Sequence, residues 1–171
     1  MHDGERRQAW ETPWRIVHAI ERDSYGGEPF ALDVASSPAN KKAPIGIHLP
    51  RNGLTEQWSA RNWCNPPYED QDQWLARAAY CAREFGQSTT CLVLASTSAL
   101  YWRPVCLEHA TVDFYEGRIA FVDEETGKPI SGNSYANAAV HFGPRFAPLT
   151  VRTRDAKTGR LIGQSAQVRL L

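Results

Sequence analysis

The chain has 171 residues, of which 42% are hydrophobic and 22% charged, with equal numbers of acidic and basic side chains. This length and composition predict one domain with a substantial core and exclude global disorder. The sequence has no run of 18 apolar residues, and its first residues lack an apolar segment, so we expect neither a transmembrane helix nor a secretory signal. Because the formal net charge is zero, binding of nucleic acid would require a local basic surface.

The first elements predict a polar start, a helix and a buried strand. Residues 1–9 are polar and are expected to be flexible, whereas residues 10–171 are expected to form a single domain. Thr12-Pro13 predicts the start of a helix, because threonine is a good N-cap and proline suits the first helical position. Gly26-Gly27 ends that helix, and residues 30–34 are predicted to be a short buried strand.

The middle of the chain predicts a second helix and a central strand. Asn52-Gly53 marks a turn. Apolar residues at helical spacing then predict a helix between Asp70, its expected cap, and Gly86. Residues 90–95 form a continuous apolar run, which is typical of a strand buried on both faces. Residues 98–109 are predicted to be helical.

The last third of the chain is predicted to be mostly strand. The predicted strands are residues 111–115, 118–122, 138–142 and 149–153, with turns at residues 123–128 and 157–159. Strands and helices alternate before this point. The sequence therefore predicts an α/β fold, a three-layer sheet finished by antiparallel strands.

The four cysteines are far apart and each lies among apolar residues, at Cys64, Cys81, Cys91 and Cys106. We predict buried thiols instead of disulfides or a zinc site, which favours the cytoplasm as the compartment. The histidines His18, His48, His109 and His141 show no spacing typical of ligands, so no metal site is assigned.

The clearest chemical signal is Asn65-Pro66-Pro67-Tyr68, the Asn-Pro-Pro-Tyr turn, which follows a short apolar run. Two adjacent prolines stop a strand, because neither donates a ladder hydrogen bond. An amide, a bare carbonyl and an aromatic ring are thus expected where a strand ends, which is where ligands bind in open α/β sheets. The two oxygens can accept both hydrogens of an exocyclic amine, and the ring can stack on the base that carries it. Asn-Pro and Pro-Pro are also common in plain loops, so the surroundings must decide.

An ordered set of motifs surrounds this turn. They are Trp10-x-Thr12-Pro13, Leu32-Asp33-x-Ala35, Asn52-Gly53-Leu54 with Trp58, Trp63-Cys64, Trp74, Leu94-Ala95-Ser96-Thr97, Trp102 and Gly117-Arg118-Ile119-x-Phe121. Together they resemble the phage-type, Dam-like DNA N6-adenine methyltransferases of bacteriophages and prophages. The resemblance covers most of the chain, from residue 10 to about residue 143.

This resemblance implies a reduced Rossmann-like methyltransferase fold, S-adenosylmethionine as methyl donor and an adenine in double-stranded DNA as acceptor, in the cytoplasm of a bacterial host. It implies that Asn65, Pro66, Pro67 and Tyr68 are catalytic. The cofactor-binding residues that it implies are Thr12, Pro13, Asp33, Ala35, Ser36 and Asn52. The chain departs from the family in two places: no glycine follows Asp33, and Asn52 stands where the family usually carries an acidic residue.

The chemistry of the implied reaction suits the Asn-Pro-Pro-Tyr turn. The N6 amine of adenine is a poor nucleophile because its lone pair is delocalised into the ring. Hydrogen bonds from N6 to the Asn65 side chain and the Pro66 carbonyl favour a pyramidal nitrogen that can attack the methyl group in line. The adenine must first be flipped out of the duplex, and Tyr68 would stack on it. This scheme requires neither a metal nor a general base.

Contacts to the DNA backbone are expected from basic residues near the carboxyl terminus and from one motif residue. These candidates are Arg118, Arg145, Arg152, Arg154, Lys157 and Arg160, and for each a solvated surface position is the alternative. Two other functions fit the sequence. The same turn could methylate an RNA base or a protein glutamine, or the chain could be a degenerate DNA-binding module without cofactor.

Overall fold

A computed structural model describes residues 10–123, 126–130 and 134–164. The predicted flexible start, part of the turn predicted at residues 123–128 and the last seven residues of the predicted domain lie outside the described residues. The strands are β1 (Trp10–Glu11), β2 (Leu32–Asp33), β3 (Ile45–Gly46), β4 (Arg61–Cys64), β5 (Ser88–Leu94), β6 (Thr111–Glu116), β7 (Val122–Asp123), β8 (Asn137–Phe142), β9 (Thr150–Asp155) and β10 (Leu161–Gln164). The helices are α1 (Trp14–Tyr25) and α2 (Gln71–Phe85), with a 3₁₀ turn at Tyr68–Asp70 and a π-helical segment at Trp102–Leu107.

Eight of the described strands form one sheet in the order β10-β9-β6-β8-β5-β4-β2-β3, and β1 pairs separately with β7. Strands β3, β2, β4 and β5 are parallel, and β8 runs antiparallel to both of its neighbours, β5 and β6. β9 is parallel to β6, and β10 is antiparallel to β9. The mixed α/β character is confirmed, with antiparallel pairing in the carboxyl-terminal half.

The chain reverses its direction of travel across the sheet between β2 and β4. It leaves β2 for β3 on one side and returns to form β4 on the other side. The loops that follow β2 and β4 therefore diverge at the carboxyl ends of the two strands, which leaves a crevice. Residues 34–40 lie on one side of this crevice and the Asn-Pro-Pro-Tyr turn lies on the other.

Helices cover the sheet on both faces, because successive side chains of a strand point to opposite faces. Trp63 in β4 and Leu92 in β5 belong to the core beneath α1, whereas their neighbours Cys64 and Cys91 pack beneath α2 and the π-helical segment. The prediction of buried thiols is confirmed, since all four cysteines are free and buried. Neither described α-helix is long and apolar enough to cross a membrane.

Helix α1 starts differently from the prediction. The N-cap is Pro13 in an extended conformation, and its carbonyl accepts the first hydrogen bond, from the Ile16 N–H at 2.9 Å. Thr12 is therefore one residue too early to cap the helix, and its buried Oγ1 has no hydrogen-bond partner among the described residues. Gly26 and Gly86 end the two helices in the left-handed conformation, as predicted.

Several further elements differ from the sequence prediction. Residues 118–121 are not a strand, because Gly117 adopts a φ of 87° at the end of β6 and turns the chain out of the sheet. Ile119 and Phe121 instead bury their side chains in the core beneath α1. The segment around Pro104 is π-helical, and the Cys106 and Glu108 N–H groups each bond a carbonyl five residues earlier. Strands β1, β3 and β10 were not predicted.

Candidate active site

A cavity of about 590 Å³ opens at the crevice between β2 and β4. Its walls come from three stretches, residues 34–40, 47–53 and 65–69, with Trp10 and Trp74 at the margins. This volume lies within the usual range for pockets that bind small molecules, roughly 300–1,000 Å³. The two loops that the sequence analysis singled out therefore share one cavity.

The Asn-Pro-Pro-Tyr turn forms one wall of the cavity, between the end of β4 and the start of α2. Asn65 is half-buried, and its side-chain amide makes no hydrogen bond to a described residue. Pro66 is buried, whereas Pro67 is exposed and leads into the 3₁₀ turn. The ring of Tyr68 is half-buried beside the ring of Tyr135, with 6.5 Å between the ring centroids. All four residues of the predicted catalytic set line the cavity.

Asp33 supports the opposite wall from behind. Its carboxylate accepts hydrogen bonds from the backbone N–H groups of Ala35 at 3.2 Å and Lys42 at 2.8 Å, which fixes both ends of the loop. Burial raises the pKa of Asp33 to about 6, against the lowering effect of these two hydrogen bonds. Ala35 and Ser36 line the cavity, but Asp33 is not among the described residues that do.

Two glycines outside this loop let the walls approach one another closely. A Cβ on Gly46 would lie 2.4 Å from Ser36 Oγ, and one on Gly53 would lie 2.0 Å from the Val34 carbonyl oxygen. The Gly53 carbonyl also accepts a hydrogen bond of 2.7 Å from the Trp58 indole. The loop after Asp33 needs no glycine of its own, because the neighbouring segments supply the small residues.

The segment before α1 contributes Trp10 to the cavity lining. Neither Thr12 nor Pro13 is among the described lining residues, although both are buried, whereas Trp10 does line the cavity. Trp10 belongs to β1, which is held by an ion pair between Glu11 and the buried Lys42 ammonium group. That ammonium group lies 4.6 Å from the centroid of the Trp14 ring.

Asn52 lies at the cavity margin, and its side chain stabilises the turn that follows. The Asn52 Oδ1 accepts a hydrogen bond of 2.9 Å from the Leu54 N–H. On the other side of the cavity, the buried Oδ1 of Asn40 has no hydrogen-bond partner among the described residues. The sequence analysis missed Asn40 and Trp10 as lining residues, although Trp10 was part of the motif set.

Four of the six predicted DNA-contacting cations are exposed, and they lie at two opposite edges of the sheet. Arg118, Lys157 and Arg160 are exposed and follow the carboxyl ends of β6 and β9, which point in the same direction as β4. They therefore lie on the same edge of the sheet as the cavity. Arg145 follows the end of the oppositely directed β8, with its guanidinium 5.0 Å from the Tyr25 ring centroid and 3.7 Å from Glu28.

The prediction that Arg152 and Arg154 contact DNA is wrong, because both side chains serve a buried ion-pair network. Arg154 is fully buried and bonds Asp113 and Asp23, and Arg152 bonds Asp113 through two nitrogens. The Asp113 carboxylate also accepts a hydrogen bond of 3.0 Å from His141 Nε2. Burial alone would raise the pKa of Asp113, yet His141 and the two guanidinium groups outweigh it and hold that pKa far below its usual range.

The fold and the site together define a class of protein. An open α/β sheet carries, at its switch point, a cavity that is lined on one side by an amide side chain, two prolines and a tyrosine ring. These are the features of an α/β protein with a small-molecule site at the carboxyl ends of its parallel strands.

Comparison with known proteins identifies the family. The sequence profile of the DNA N-6-adenine-methyltransferase (Dam) family matches residues 2–161, and the chain belongs to this family. A DNA N-6-adenine-methyltransferase of Haemophilus phage HP1 is 29% identical over 142 residues, which cover 81% of this chain and 80% of that protein. A DNA N-6-adenine-methyltransferase of Escherichia phage T1 is 27% identical over 145 residues, or 75% of this chain and 59% of that protein. The resemblance found in the sequence motifs is confirmed.

Proposed function

We propose that the chain is a site-specific DNA methyltransferase that transfers a methyl group from S-adenosylmethionine to N6 of a flipped adenine in double-stranded DNA. Membership of the family carries the reaction class. One structural observation supports the assignment of residues, namely that the loop after β2 and the Asn-Pro-Pro-Tyr turn line a single cavity. We place the reaction on a single Rossmann-like domain spanning residues 10–171, in the cytoplasm of a bacterial host.

Trp10 and residues 34–40 form the wall opposite the Asn-Pro-Pro-Tyr turn, and we place the methyl donor there. This wall fits S-adenosylmethionine, a ligand with an adenine ring, hydroxyl groups and charged ends. The wall offers the aromatic ring of Trp10, the hydroxyl group of Ser36, and Asn40, whose buried Oδ1 lacks a described partner. Bound there, S-adenosylmethionine supplies an electrophilic methyl group on a sulfonium ion. Asn52 can receive a hydrogen bond from the ligand only by sharing the oxygen that already bonds Leu54.

The acceptor side is the Asn-Pro-Pro-Tyr turn. The Asn65 Oδ1 and the Pro66 carbonyl accept hydrogen bonds from the two N6 hydrogens, which directs the nitrogen lone pair into the cavity. Because the Asn65 amide has no described hydrogen-bond partner, no internal bond must break before it accepts one from the substrate. Tyr68 stacks on the extruded ring and offsets part of the cost of removing the base from the duplex. The reaction is then accelerated mainly through positioning and through stabilisation of positive charge at N6.

The duplex would lie along the edge of the sheet that carries the cavity. Lys157 and Arg160 are exposed on the turn between β9 and β10, and neither side chain forms an ion pair with a described residue. That turn packs closely against α1, as shown by Gly159, where an added Cβ would lie 2.8 Å from the Ala19 Cβ. Its fixed position suits phosphate contacts that orient the duplex without reading its sequence.

Methylation-aware sequencing of DNA from cells that express the chain tests the reaction, and it reports the acceptor base and the recognition sequence together. We expect N6-methyladenine at one sequence. Incorporation of labelled methyl groups only into RNA or protein would refute the DNA assignment in favour of the alternative acceptors. Binding of S-adenosylhomocysteine, measured by calorimetry, separates an active enzyme from a degenerate DNA-binding module, which would not bind it even at millimolar ligand.

The residue assignment is tested by Asn65→Ala, with Gln73→Ala, an exposed amide on α2, as the matched control. Loss of a preorganised polar group at the reacting centre lowers kcat by roughly 10²–10³. We expect this loss for Asn65→Ala, with unchanged S-adenosylhomocysteine binding and a wild-type rate for the control. A wild-type rate for Asn65→Ala would refute the role of its amide.

A further inference from the structure

The side chain of Leu100 is 93% exposed, more than any other large hydrophobic side chain among the described residues. An exposed leucine is ordinary by itself, and its significance depends on its location. Leu100 lies in the segment that joins β5 to the π-helical segment, at the carboxyl ends of the parallel strands. This is the edge of the sheet at which the cavity opens, and Leu100 has no part in the function described so far.

Strand β5 carries the segment of Leu100 outward beyond the Asn-Pro-Pro-Tyr turn. Cys64, the residue before that turn, pairs with Cys91 on the neighbouring strand β5. Strand β5 then continues to Leu94, three residues further, which is about 10 Å at about 3.3 Å per residue. The segment that holds Leu100 therefore begins one strand away from the turn and farther out, on the side from which a duplex would approach.

Hydrogen bonds hold the backbone on both sides of Leu100. The Ala99 N–H donates a bond of 2.9 Å to the carbonyl three residues earlier, and the Ala99 carbonyl accepts one of 3.2 Å from the Trp102 N–H. The Tyr101 hydroxyl accepts a bond of 2.7 Å from the Gln71 side chain at the start of α2. The side chain of Leu100 is thus presented to solvent from a fixed backbone, so little ordering is needed when it meets a partner.

The residues around Leu100 suit an approach to DNA. Residues 95–101 contain no charged side chain, so no carboxylate there repels the phosphates. Ser96, Thr97 and Ser98 are exposed, and hydroxyl groups donate hydrogen bonds to phosphate oxygens. A site for another protein would be expected to surround the leucine with further apolar residues, whereas the exposed residues just before it are three hydroxyl-bearing ones.

We propose that Leu100 is a wedge that inserts into the base stack of the duplex and fills the space left by the extruded adenine. This inference rests on the proposed function. Leucine is one of the apolar side chains that proteins insert between base steps. Extrusion is costly because the bases on either side lose their stacking partner. A buried leucine restores apolar contact to those bases and is itself removed from water, so it shifts the equilibrium toward the extruded state.

The test uses single-turnover methyl transfer on a duplex that carries the recognition sequence found by sequencing. Loss of the burial of one leucine side chain corresponds to roughly a 10- to 100-fold reduction in rate. We expect this reduction for Leu100→Ala and not for Leu100→Met, which keeps an apolar side chain of similar volume. Ile162→Ala, which truncates a 54% exposed aliphatic side chain on β10, is the matched control and should keep the wild-type rate.

A second duplex, in which the target adenine is mismatched, separates insertion from structural damage. Extrusion costs less there, so the defect of Leu100→Ala should shrink. The salt dependence of DNA binding should not change, because leucine carries no charge and releases no counterions. Binding of S-adenosylhomocysteine should also stay at the wild-type level. With 2-aminopurine in place of the target adenine, the rise in fluorescence on binding, which reports unstacking, should be smaller for Leu100→Ala than for the wild type.

Two results would overturn the inference: a wild-type rate for Leu100→Ala, or equal defects on the paired and the mismatched duplex. A wild-type rate combined with a change in sedimentation would assign Leu100 to a contact between copies of the chain instead. Failure of the proposed function would look different, because the wild-type chain would then transfer no methyl group to DNA.

Discussion

Replacing Lys157 and Arg160 by glutamine tests whether DNA lies along the edge of the sheet that carries the cavity. Both cations follow β9, which is four strands away from β4 in the sheet. With neighbouring strands about 4.8 Å apart, this distance along the sheet is about 19 Å. Since DNA rises about 3.4 Å per base pair, the contacts should fall about six base pairs from the flipped adenine.

The expected magnitude follows from counterion release. Each phosphate contact contributes about 0.9 to the slope of log affinity against log salt concentration. The double variant should therefore reduce that slope by about 1.8, which can be measured by fluorescence anisotropy with any duplex over a range of salt concentrations. Binding of S-adenosylhomocysteine should not change, because neither residue is near the cavity lining.

Arg145→Gln is the matched control, because Arg145 is also a cation of the carboxyl-terminal segment but lies at the opposite edge of the sheet. It should leave the slope unchanged. An unchanged slope for the double variant, or an equal reduction for Arg145→Gln, would show that the duplex does not follow the edge described above. A duplex that ends about four base pairs from the target on that side should also lose the effect of the double variant.

Three further predictions concern the scaffold. Asp113→Asn removes the negative partner of the buried network and should lower the free energy of unfolding in urea by about 3–5 kcal/mol, against at most about 1 kcal/mol for the surface control Glu84→Gln; similar losses would contradict the account of the network. Because the pKa of Asp33 is raised to about 6 from 3.8, the folded chain keeps a proton that the unfolded chain releases, so stability should fall by up to about 3 kcal/mol between pH 4 and 6. Asp33→Asn should flatten this dependence, and a variant that keeps the wild-type pH profile would show that Asp33 does not cause it. Gly53→Ala places a Cβ 2.0 Å from the Val34 oxygen and should weaken S-adenosylhomocysteine binding, so calorimetry that shows wild-type affinity would refute the close approach.

The parts of the fold that could be predicted well from the sequence are those determined by residues close together in the chain. The apolar run that became β5, the glycines that end both helices and the prolines that follow β4 each act within a few residues. The Asn-Pro-Pro-Tyr turn was predictable for the same reason, since its conformation and its functional groups are encoded in four adjacent residues. Helix α1 shows the limit of this reasoning, because Pro13 is compatible with both the N-cap and the first helical position.

The assignments that failed depend on partners far away in the sequence. Arg152 and Arg154 look like surface cations of a polar strand, but they meet Asp113 because β9 pairs with β6. The pattern of polar residues along β9 cannot reveal that these arginines are buried, since a buried carboxylate on the neighbouring strand reverses the usual preference of arginine for solvent.

The missing glycine after Asp33 illustrates how a departure in sequence can leave the geometry of a site intact. A loop that packs tightly against its neighbours needs a small residue at each close contact, but the residue can belong to either side. Here the contacts are made by Gly46 against Ser36 and by Gly53 against Val34. The loop itself is then free to carry side chains such as Ser36 toward the cavity. The glycine-free loop is therefore no argument against a cofactor site, because Gly46 and Gly53 supply the small residues at its close contacts.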